Sequence, residues 1–321
     1  MNKKTKIFIA GHKGMVGSAV MKNLRKNGYD TIYFSDRNAL NLLNQKETED
    51  FFKRNDVDVV IDAAAKVGGI HSNNTYRADF IYENLQIQNN LIHSSYKYGV
   101  KKLLFLGSSC IYPKFADQPI KEEYLLTSPL EYTNEPYSVA KIAGIKMCES
   151  YHKQYGCDFI SIMPTNLYGP GDNFHPDNSH VLPALLRKFH EAFIYNYKKV
   201  KVWGTGKAKR EFLHVDDLAE ACRFVLEKVD SKKVYDQNIS HLNVGSGTDI
   251  SIANLAKLMA KTTKYDGKIE FELDKPDGTL RKLMDNSRIK KLGWTPKISL
   301  EKGLKNTYNW YKENEQNIRS F

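Results

Sequence analysis

The stretch Lys6–Val20, KIFIAGHKGMVGSAV, decides the fold: the apolar run from Ile7 to Ala10 gives way to glycines at 11, 14 and 17 and then to a helical pattern. Glycines placed between a strand and a helix let the backbone turn tightly, approach a diphosphate and pack the helix onto the sheet, while the helix N-terminus favours an anion. On spacing alone, a tight turn with nothing bound remains an alternative. Outward from this stretch the same alternation continues. A helix over Met15 to Asn27 precedes "TIYF", and a helix ending at Arg54 precedes "VDVVIDAA". A long amphipathic stretch from Asp79 to Tyr98 then leads to "KLLFLGSS", and a second long helix from Tyr137 to Tyr155 leads to "DFISIMPTNLYG". Strands alternating with helices build a parallel sheet covered on both faces, and strands buried on both sides read as continuous apolar runs.

The expected fold class is therefore α/β, a Rossmann-type doubly wound parallel sheet, joined by a smaller mixed α/β substrate-binding domain. The character changes after Gly169, where Pro170, Gly171, Pro176 and Pro183 punctuate a polar stretch before a helix over Leu182 to Phe193. Two later segments, "REFLHVDDLAEACRFVLEKV" and "HLNVGSG" at 241 to 247, read as returns to the main sheet, with Asp216 as a helix cap. From Ser251 onward two more helices and a short strand near "KIEFEL" are expected. The division is thus 1–165, with returns at about 210–247, for the dinucleotide-binding domain. The second domain takes about 166–209 and 248–321.

Bulk composition narrows the function classes. With 321 residues, 41% hydrophobic and 26% charged, the chain reads as an ordinary globular protein with no run approaching a membrane span. The N-terminus lacks the cleavable apolar core of a secretion signal, so a cytoplasmic location is expected. The balance of 48 Lys+Arg against 37 Asp+Glu gives +11, but the lysines are scattered in pairs such as Lys101-Lys102 rather than interleaved with aromatics. That argues against nucleic acid and leaves an acidic substrate plausible. The four cysteines, Cys110, Cys148, Cys157 and Cys222, show no CxxC pair and no zinc-ligand spacing, which points to free thiols and no metal site.

The chemistry gathers at three places. "NEPYSVAK" sets Tyr137 and Lys141 at i, i+4 at the opening of a helix, so both lie on one face. A phenol with a pKa of about 10 becomes a working acid at neutral pH when an ammonium stabilises its anion. Ser108 ends a parallel strand, where ligands of open α/β sheets sit, and its hydroxyl can bond a substrate carbonyl. The second strand ends in "YFSDRN", where an acidic residue favours NAD and Arg37 favours NADP. Both are present, and Lys13 in the glycine loop adds a second cation, so NADP(H) is the expected cofactor. With GxxGxxG, Ser108, Tyr137 and Lys141 in this order, the chain resembles the extended short-chain dehydrogenases/reductases, whose members act mostly on nucleotide sugars. The resemblance implies hydride transfer with nicotinamide. It makes Tyr137 the proton donor to the sugar oxygen, Lys141 its tuner and a holder of the cofactor ribose, and Ser108 the group that orients the carbonyl.

A plain sugar reductase needs no thiol in "GSSCIYP", and the bland reading of Cys110 is a small packed residue. That stretch, together with "AAAKVGGIHSNNTYRADFIYEN", "NEPYSVAKIAGIKMCESY", "PTNLYGPGDNFHPDNSHVLPALLRKFHEA" and "KPDGTLRKLMD", is similar to the GDP-L-fucose synthases, the GDP-4-keto-6-deoxy-mannose 3,5-epimerase-4-reductases. The resemblance implies that Cys110 and His180 form the acid/base pair that epimerises C3 and C5. A C4 ketone acidifies the protons on both neighbouring carbons, and the enolate is stabilised at the same carbonyl by Ser108 and Tyr137. The bland alternative for His180 is a solvated loop histidine. The resemblance also assigns the cofactor contacts: Gly11, His12, Lys13, Gly14, Met15, Val16, Gly17, Arg37, Asn41, Leu106, Gly107, Lys141, Pro164, Asn166, Leu167 and His180. Substrate contacts fall to Ser109, Asn166, Lys188, Trp203, Arg210, Lys275 and Asp277, with Arg210 suited to a diphosphate. Unaided, Trp203 reads as core and Arg210 as a surface ion pair.

The chain departs from the family pattern in four places. Asp36 stands beside the NADP arginine where a small neutral residue is common, Lys13 and Lys188 replace arginines, and Leu280 replaces a proline. Two rival readings remain at this point. One is a C4 reductase of a GDP-4-keto-heptose for surface polysaccharide, with Cys110 and His180 idle. The other is a non-catalytic relative that senses cofactor or binds RNA, against which the intact Ser108, Tyr137 and Lys141 argue. Phe80, Ile87, Leu91, Ile142 and Ile145 on the two long helices exceed what one face needs, and the superfamily pairs these helices as a four-helix bundle, so a C2 homodimer is expected.

Overall fold

The computed structural model describes residues 1–175, 179–275 and 277–317. Its strands are β1 (Ile7–Ala10), β2 (Ile32–Tyr33), β3 (Val59–Asp62), β4 (Lys102–Leu106), β5 (Asp158–Pro164), β6 (Asn166–Tyr168), β7 (Lys199–Trp203), β8 (Lys209–His214), β9 (Leu242–Val244), β10 (Asp249–Ser251), β11 (Lys268–Glu272) and β12 (Arg281–Lys282). The helices are α1 (Met15–Lys26), α2 (Gln45–Arg54), α3 (Ile70–Thr75), α4 (Arg77–Lys97), α5 (Glu135–Tyr155), α6 (Val181–Ile194), α7 (Val215–Lys228), α8 (Lys232–Tyr235), α9 (Ile252–Thr263), α10 (Ser287–Lys291) and α11 (Leu300–Asn314).

The main sheet is six-stranded and parallel throughout, in the order β2-β1-β3-β4-β5-β9. Side chains alternate across it, as strand geometry requires. Ile7, Ile9, Ile61 and Leu104 enter a core with Val20 and Leu24 of α1 and Leu218 and Val225 of α7. Phe8, Val60 and Phe105 enter a second core with Leu91 and Ile92 of α4 and Ile142 and Ile145 of α5. The expected doubly wound α/β class is what forms. The chain reverses direction across the sheet between β1 and β3, and a ligand crevice opens at the carboxyl ends of such strands.

A third core joins α6, α9 and α11 through Leu186, Phe189, Leu255, Met259, Leu304 and Tyr311. Around it lie the order β10-β8-β12, with β6 paired to β8, and the separate pair β11-β7. Here one expectation is corrected. "HLNVGSG" returns to the main sheet as β9, but the strand of "REFLHVDD" does not: β8 belongs to the small sheet, and only α7 after it returns, packing on α1. β8 lies between β10 and β12 through its first residues and pairs with β6 through Phe212 to His214, so its hydrogen bonds are spent there. Asp216 is also not the cap of α7. His214 is, its ring Nδ1 accepting the Asp216 N–H at 3.2 Å.

The buried Glu211 of β8 ties the two sheets together. Its carboxylate accepts the N–H of Gly247 after β9 at 2.7 Å and that of Met284 after β12 at 3.0 Å. Burial raises its pKa, and these donors oppose the rise.

The two long helices, α4 and α5, run side by side, and here a second correction is needed. Phe80, Leu91, Ile142 and Ile145 are buried in the chain's own core, and Ile87 is partly buried there. They are not spare surface. The exposed apolar residues on these helices are Tyr82, Tyr96, Val139 and Tyr155, with Tyr96 stacked on Tyr155 at 4.3 Å.

Candidate active site

The glycine loop lies at the switch point of the sheet. Gly11 has φ +80°, and a Cβ there would come within 2.6 Å of the Ala63 carbonyl oxygen beyond β3. A Cβ on Gly17 would collide with the Gly11 carbonyl, so the helix can approach the loop this closely only without side chains. Gly14 caps α1 without a side-chain hydrogen bond, and no acidic residue stands in the first turn. The first-turn N–H groups of Met15, Val16 and Gly17 are therefore aimed at an anion with no carboxylate competing, which fits a diphosphate.

Near that turn, Lys13 Nζ lies 2.7 Å and His12 Nε2 3.3 Å from Asp36 Oδ1, and the Lys13 bond is the largest influence lowering the Asp36 pKa. Arg37 is largely exposed, 3.8 Å from Glu83. Asn41 accepts the Leu43 N–H and donates its own N–H to Glu47, which shapes the loop before α2.

At the end of β4 the chain turns sharply. A Cβ on Gly107 would collide with Met163, and Ser108 opens a short turn over Ser109–Ile111, its Oγ accepting the Cys110 N–H at 3.3 Å. Tyr112 anchors the far side of this turn. Its buried hydroxyl lies 2.6 Å from His241 Nε2 and donates to Asn243 Oδ1 at 2.5 Å. Ser138 of α5 donates to the Cys110 carbonyl at 2.9 Å, which pins the backbone of this turn to α5.

Lys141 is almost wholly buried. Its Nζ donates to the Leu106 carbonyl at 2.9 Å and lies 4.7 Å over the Phe105 ring and 6.0 Å from that of Tyr137. Burial lowers its pKa, and Asp62 opposes this. Ser108 stands near enough to Tyr137 to act on its phenol. Burial, then the Cys110 thiol and Asp62, push its pKa above the usual phenol value, with Ser108 acting the other way. The phenol is thus held in its protonated, proton-donating form.

Lys282, which the sequence did not single out, completes this group. It reaches in from β12, its Nζ 3.9 Å from Cys110 Sγ. The same ammonium, after the surrounding protein, lowers the pKa of His180, the exposed residue that caps α6. Ser108, Cys110, Tyr137 and Lys141 are therefore brought together directly, and Lys282 links Cys110 to the surroundings of His180. Lys282 lies inside the quoted "KPDGTLRKLMD", but only the parallel pairing of β12 with β8 delivers it here.

A second group lies on the small sheet. Trp203 is 59% exposed rather than core, with Lys188 Nζ 5.6 Å over its ring. Arg210 is not a surface ion pair: its guanidinium donates to the carbonyls of Lys209, Thr279 and Asp277. Asp277 accepts both the N–H and the hydroxyl of Thr205 at 2.7 Å, which spends its carboxylate on the Gly204–Thr205 turn. Lys275 is exposed, 3.7 Å from Asp274. Between the groups, Asn166 donates to the Glu211 carbonyl at 2.8 Å, Pro164 ends β5 and Leu167 continues into β6.

A nucleotide cradle beside a Ser/Tyr/Lys cluster defines a short-chain dehydrogenase/reductase of the extended kind. The family model described as the NAD dependent epimerase/dehydratase family matches residues 7–245, and the chain belongs to that family. It is 56% identical to GDP-L-fucose synthase 1 of Arabidopsis thaliana over 98% of this chain and 95% of that protein. With the GDP-L-fucose synthase of Escherichia coli K12 it shares 55% identity over 98% of this chain and 99% of that one. The solved structure of a GDP-mannoheptose C4 reductase from Campylobacter jejuni, with NADP bound, superposes with a TM-score of 0.89. That pair is 41% identical over 97% of this chain and 99% of that chain.

Tyr112→Phe leaves His241 and Asn243 buried without their shared partner. The expected loss is about 1–3 kcal/mol of stability, read as a lower urea midpoint at unchanged slope.

Proposed function

We propose that this protein is an NADPH-dependent GDP-4-keto-6-deoxy-sugar epimerase-reductase, which inverts C3 and C5 of GDP-4-keto-6-deoxy-mannose and reduces C4 to give GDP-L-fucose. The single observation that carries this reading is the thiol of Cys110 standing beside Ser108 and Tyr137 at the end of β4, with the ammonium of Lys282 at 3.9 Å. A plain reductase has no use for a base there. The 55–56% identity with GDP-L-fucose synthases, against 41% with the heptose C4 reductase, favours the hexose.

In this reading Ser108 and Tyr137 hold the C4 carbonyl oxygen, so that removing a neighbouring proton yields a stabilised enolate. Cys110 takes the proton from one face and His180 returns one on the other, at each centre in turn. The surrounding protein, and after it the Lys282 ammonium, lower the pKa of His180, which makes its protonated form the readier proton donor to the enolate. NADPH, cradled by the loop of Gly11, Gly14 and Gly17, supplies a hydride to C4. Tyr137 gives its phenol proton to the C4 oxygen, and the nearby Lys141 ammonium stabilises the phenolate left behind. Trp203, Lys188 and Arg210 are proposed to take the GDP, the exposed indole as a platform and the cations for the diphosphate.

We also propose two units, residues 1–165 with α7 and β9 for the cofactor and the remainder for the sugar nucleotide, and a cytoplasmic location in keeping with four free cysteines. No helix among the described residues is long and apolar enough to cross a membrane. A C2 dimer through α4 and α5 rests on the exposed Tyr82, Tyr96, Val139 and Tyr155. Light scattering at micromolar concentration then gives twice the chain mass, and a monomer contradicts it.

In deuterated water, the protein is expected to place deuterium at C3 and C5 of GDP-4-keto-6-deoxy-mannose without cofactor. Cys110→Ser should abolish that exchange while sparing reduction of a ketone that needs no epimerisation. Reduction without any exchange in the parent would instead identify a bare C4 reductase, and turnover of a GDP-4-keto-heptose would then name its substrate. Asp36→Ala removes a carboxylate beside the 2′-phosphate position. Its KM for NADPH should fall roughly three- to tenfold and that for NADH should rise, as measured by initial rates with each cofactor.

A further inference from the structure

Asp62, the last residue of β3, is a carboxylate at the floor of the site that none of the chemistry above uses. It is 0% exposed. Its Oδ1 accepts the Ala64 N–H at 3.2 Å, and its Oδ2 is buried with no hydrogen-bond partner. In register it stands between Ala10 of β1 and Phe105 of β4. Lys141 Nζ lies over that same Phe105 ring, so carboxylate and ammonium share one floor beneath α5. An ionised carboxylate in such a place is costly unless a charge answers it.

The groups that answer it all belong to α5. Burial pushes the pKa of Asp62 up to about 6 against the opposing pull of Lys141. Asp62 in turn favours the charged form of Lys141 and the protonated form of Tyr137. Cys148, the third ionisable neighbour, is a neutral thiol whose pKa burial pushes up to about 12. The facing residues of β1 and β4 are Ala10 and Phe105, and no buried side chain of α4 is ionisable.

We propose that Asp62 is a positioning residue of the reduction, its buried carboxylate holding Lys141 as the ammonium and Tyr137 as the proton-donating phenol. The inference rests on the roles given to Tyr137 and Lys141 above. Asp62 neither gives nor takes a proton in the step. The phenol proton goes to the C4 oxygen as the hydride reaches C4, and solvent later restores it. What Asp62 sets is the pH range over which both partners keep their protons. A site held in this way is biased toward reducing a ketone rather than oxidising an alcohol.

The test is the pH profile of NADPH-dependent ketone reduction for the parent and Asp62→Asn between pH 5 and 10. Toward pH 5 the parent carboxylate itself becomes protonated, so the two profiles should converge there. Above pH 6 the variant loses the anion, its alkaline limb moves down by about one pH unit, and its rate relative to the parent falls about tenfold toward pH 10. A ratio that stays constant over the whole range overturns the proposal, because a merely structural defect scales all rates alike. If Tyr137→Phe keeps the parental rate, the role of Tyr137 fails and the proposal falls with it. If Tyr137→Phe is inactive and the ratio is flat, only the role of Asp62 fails.

Asp62→Leu keeps the test available should the Asn variant not fold, and it adds a readout without substrate. The folded pKa of Asp62 lies above its unfolded value of about 4, so its destabilising charge develops as pH rises from about 4 to 6. The Leu variant should therefore gain melting temperature over the parent across that interval and hold the gain above it. A constant difference would mean that no carboxylate titrates there, and would overturn the proposal.

Discussion

The bond from the buried Lys141 ammonium to the Leu106 carbonyl is the constraint on which the rest of the site depends. Burying a lysine is expensive, and the sequence offsets that cost with a carbonyl left free at the end of β4, the Phe105 ring and the Asp62 carboxylate. Once made, the bond fixes the N-terminal half of α5 against the end of β4. Tyr137 lies one turn before Lys141 and therefore meets Ser108, and Ser138 reaches the Cys110 carbonyl. The phenol, the hydroxyl and the thiol are three consequences of one docking event.

The other wall is held by backbone rather than charge. Gly11 and Gly17 bring α1 onto the sheet at the switch point, and the bare N-terminus of that helix provides the cradle. Across from it, Glu211 binds the N–H groups that follow β9 and β12, which aligns the small sheet with the large one. This alignment is what lets Lys282 of β12 come within reach of Cys110 of the first sheet. The proposed epimerisation pair would thus join Cys110, in the turn after β4, to His180 at the start of α6, while the proposed reduction triad comes from the end of β4 and α5.

Much of this was legible in the chain. The apolar runs and the glycine spacing carried the main sheet, because local propensity and burial on two faces agree there. Tyr137 and Lys141 were legible because helical spacing places them on one face. What escaped was set by long-range pairing. "REFLHVDD" resembles a strand of the main sheet in composition, and only its partners β6, β10 and β12 assign it to the small one. Phe80 and Ile145 read as surplus apolar surface because α4 and α5 bury more than one stripe each in the chain's own core. Trp203 read as core by its size, whereas the edge position of β7 beside Lys188 leaves it open. Asp62 sat unremarked in "VDVVIDAA", since a lone acid at a strand end carries no signal until the lysine above it is known.

The central claim is that one cluster at the end of β4 both inverts carbons beside a ketone and reduces that ketone. Its most direct test is NMR of the product formed from GDP-4-keto-6-deoxy-mannose in deuterated water with NADPH deuterated at the transferred position. The account predicts GDP-L-fucose carrying cofactor-derived deuterium at C4 and solvent-derived deuterium at C3 and C5. A C4-labelled product with its original C3 and C5 hydrogens and configuration would contradict it, as would a ketone left unreduced with NADPH unconsumed.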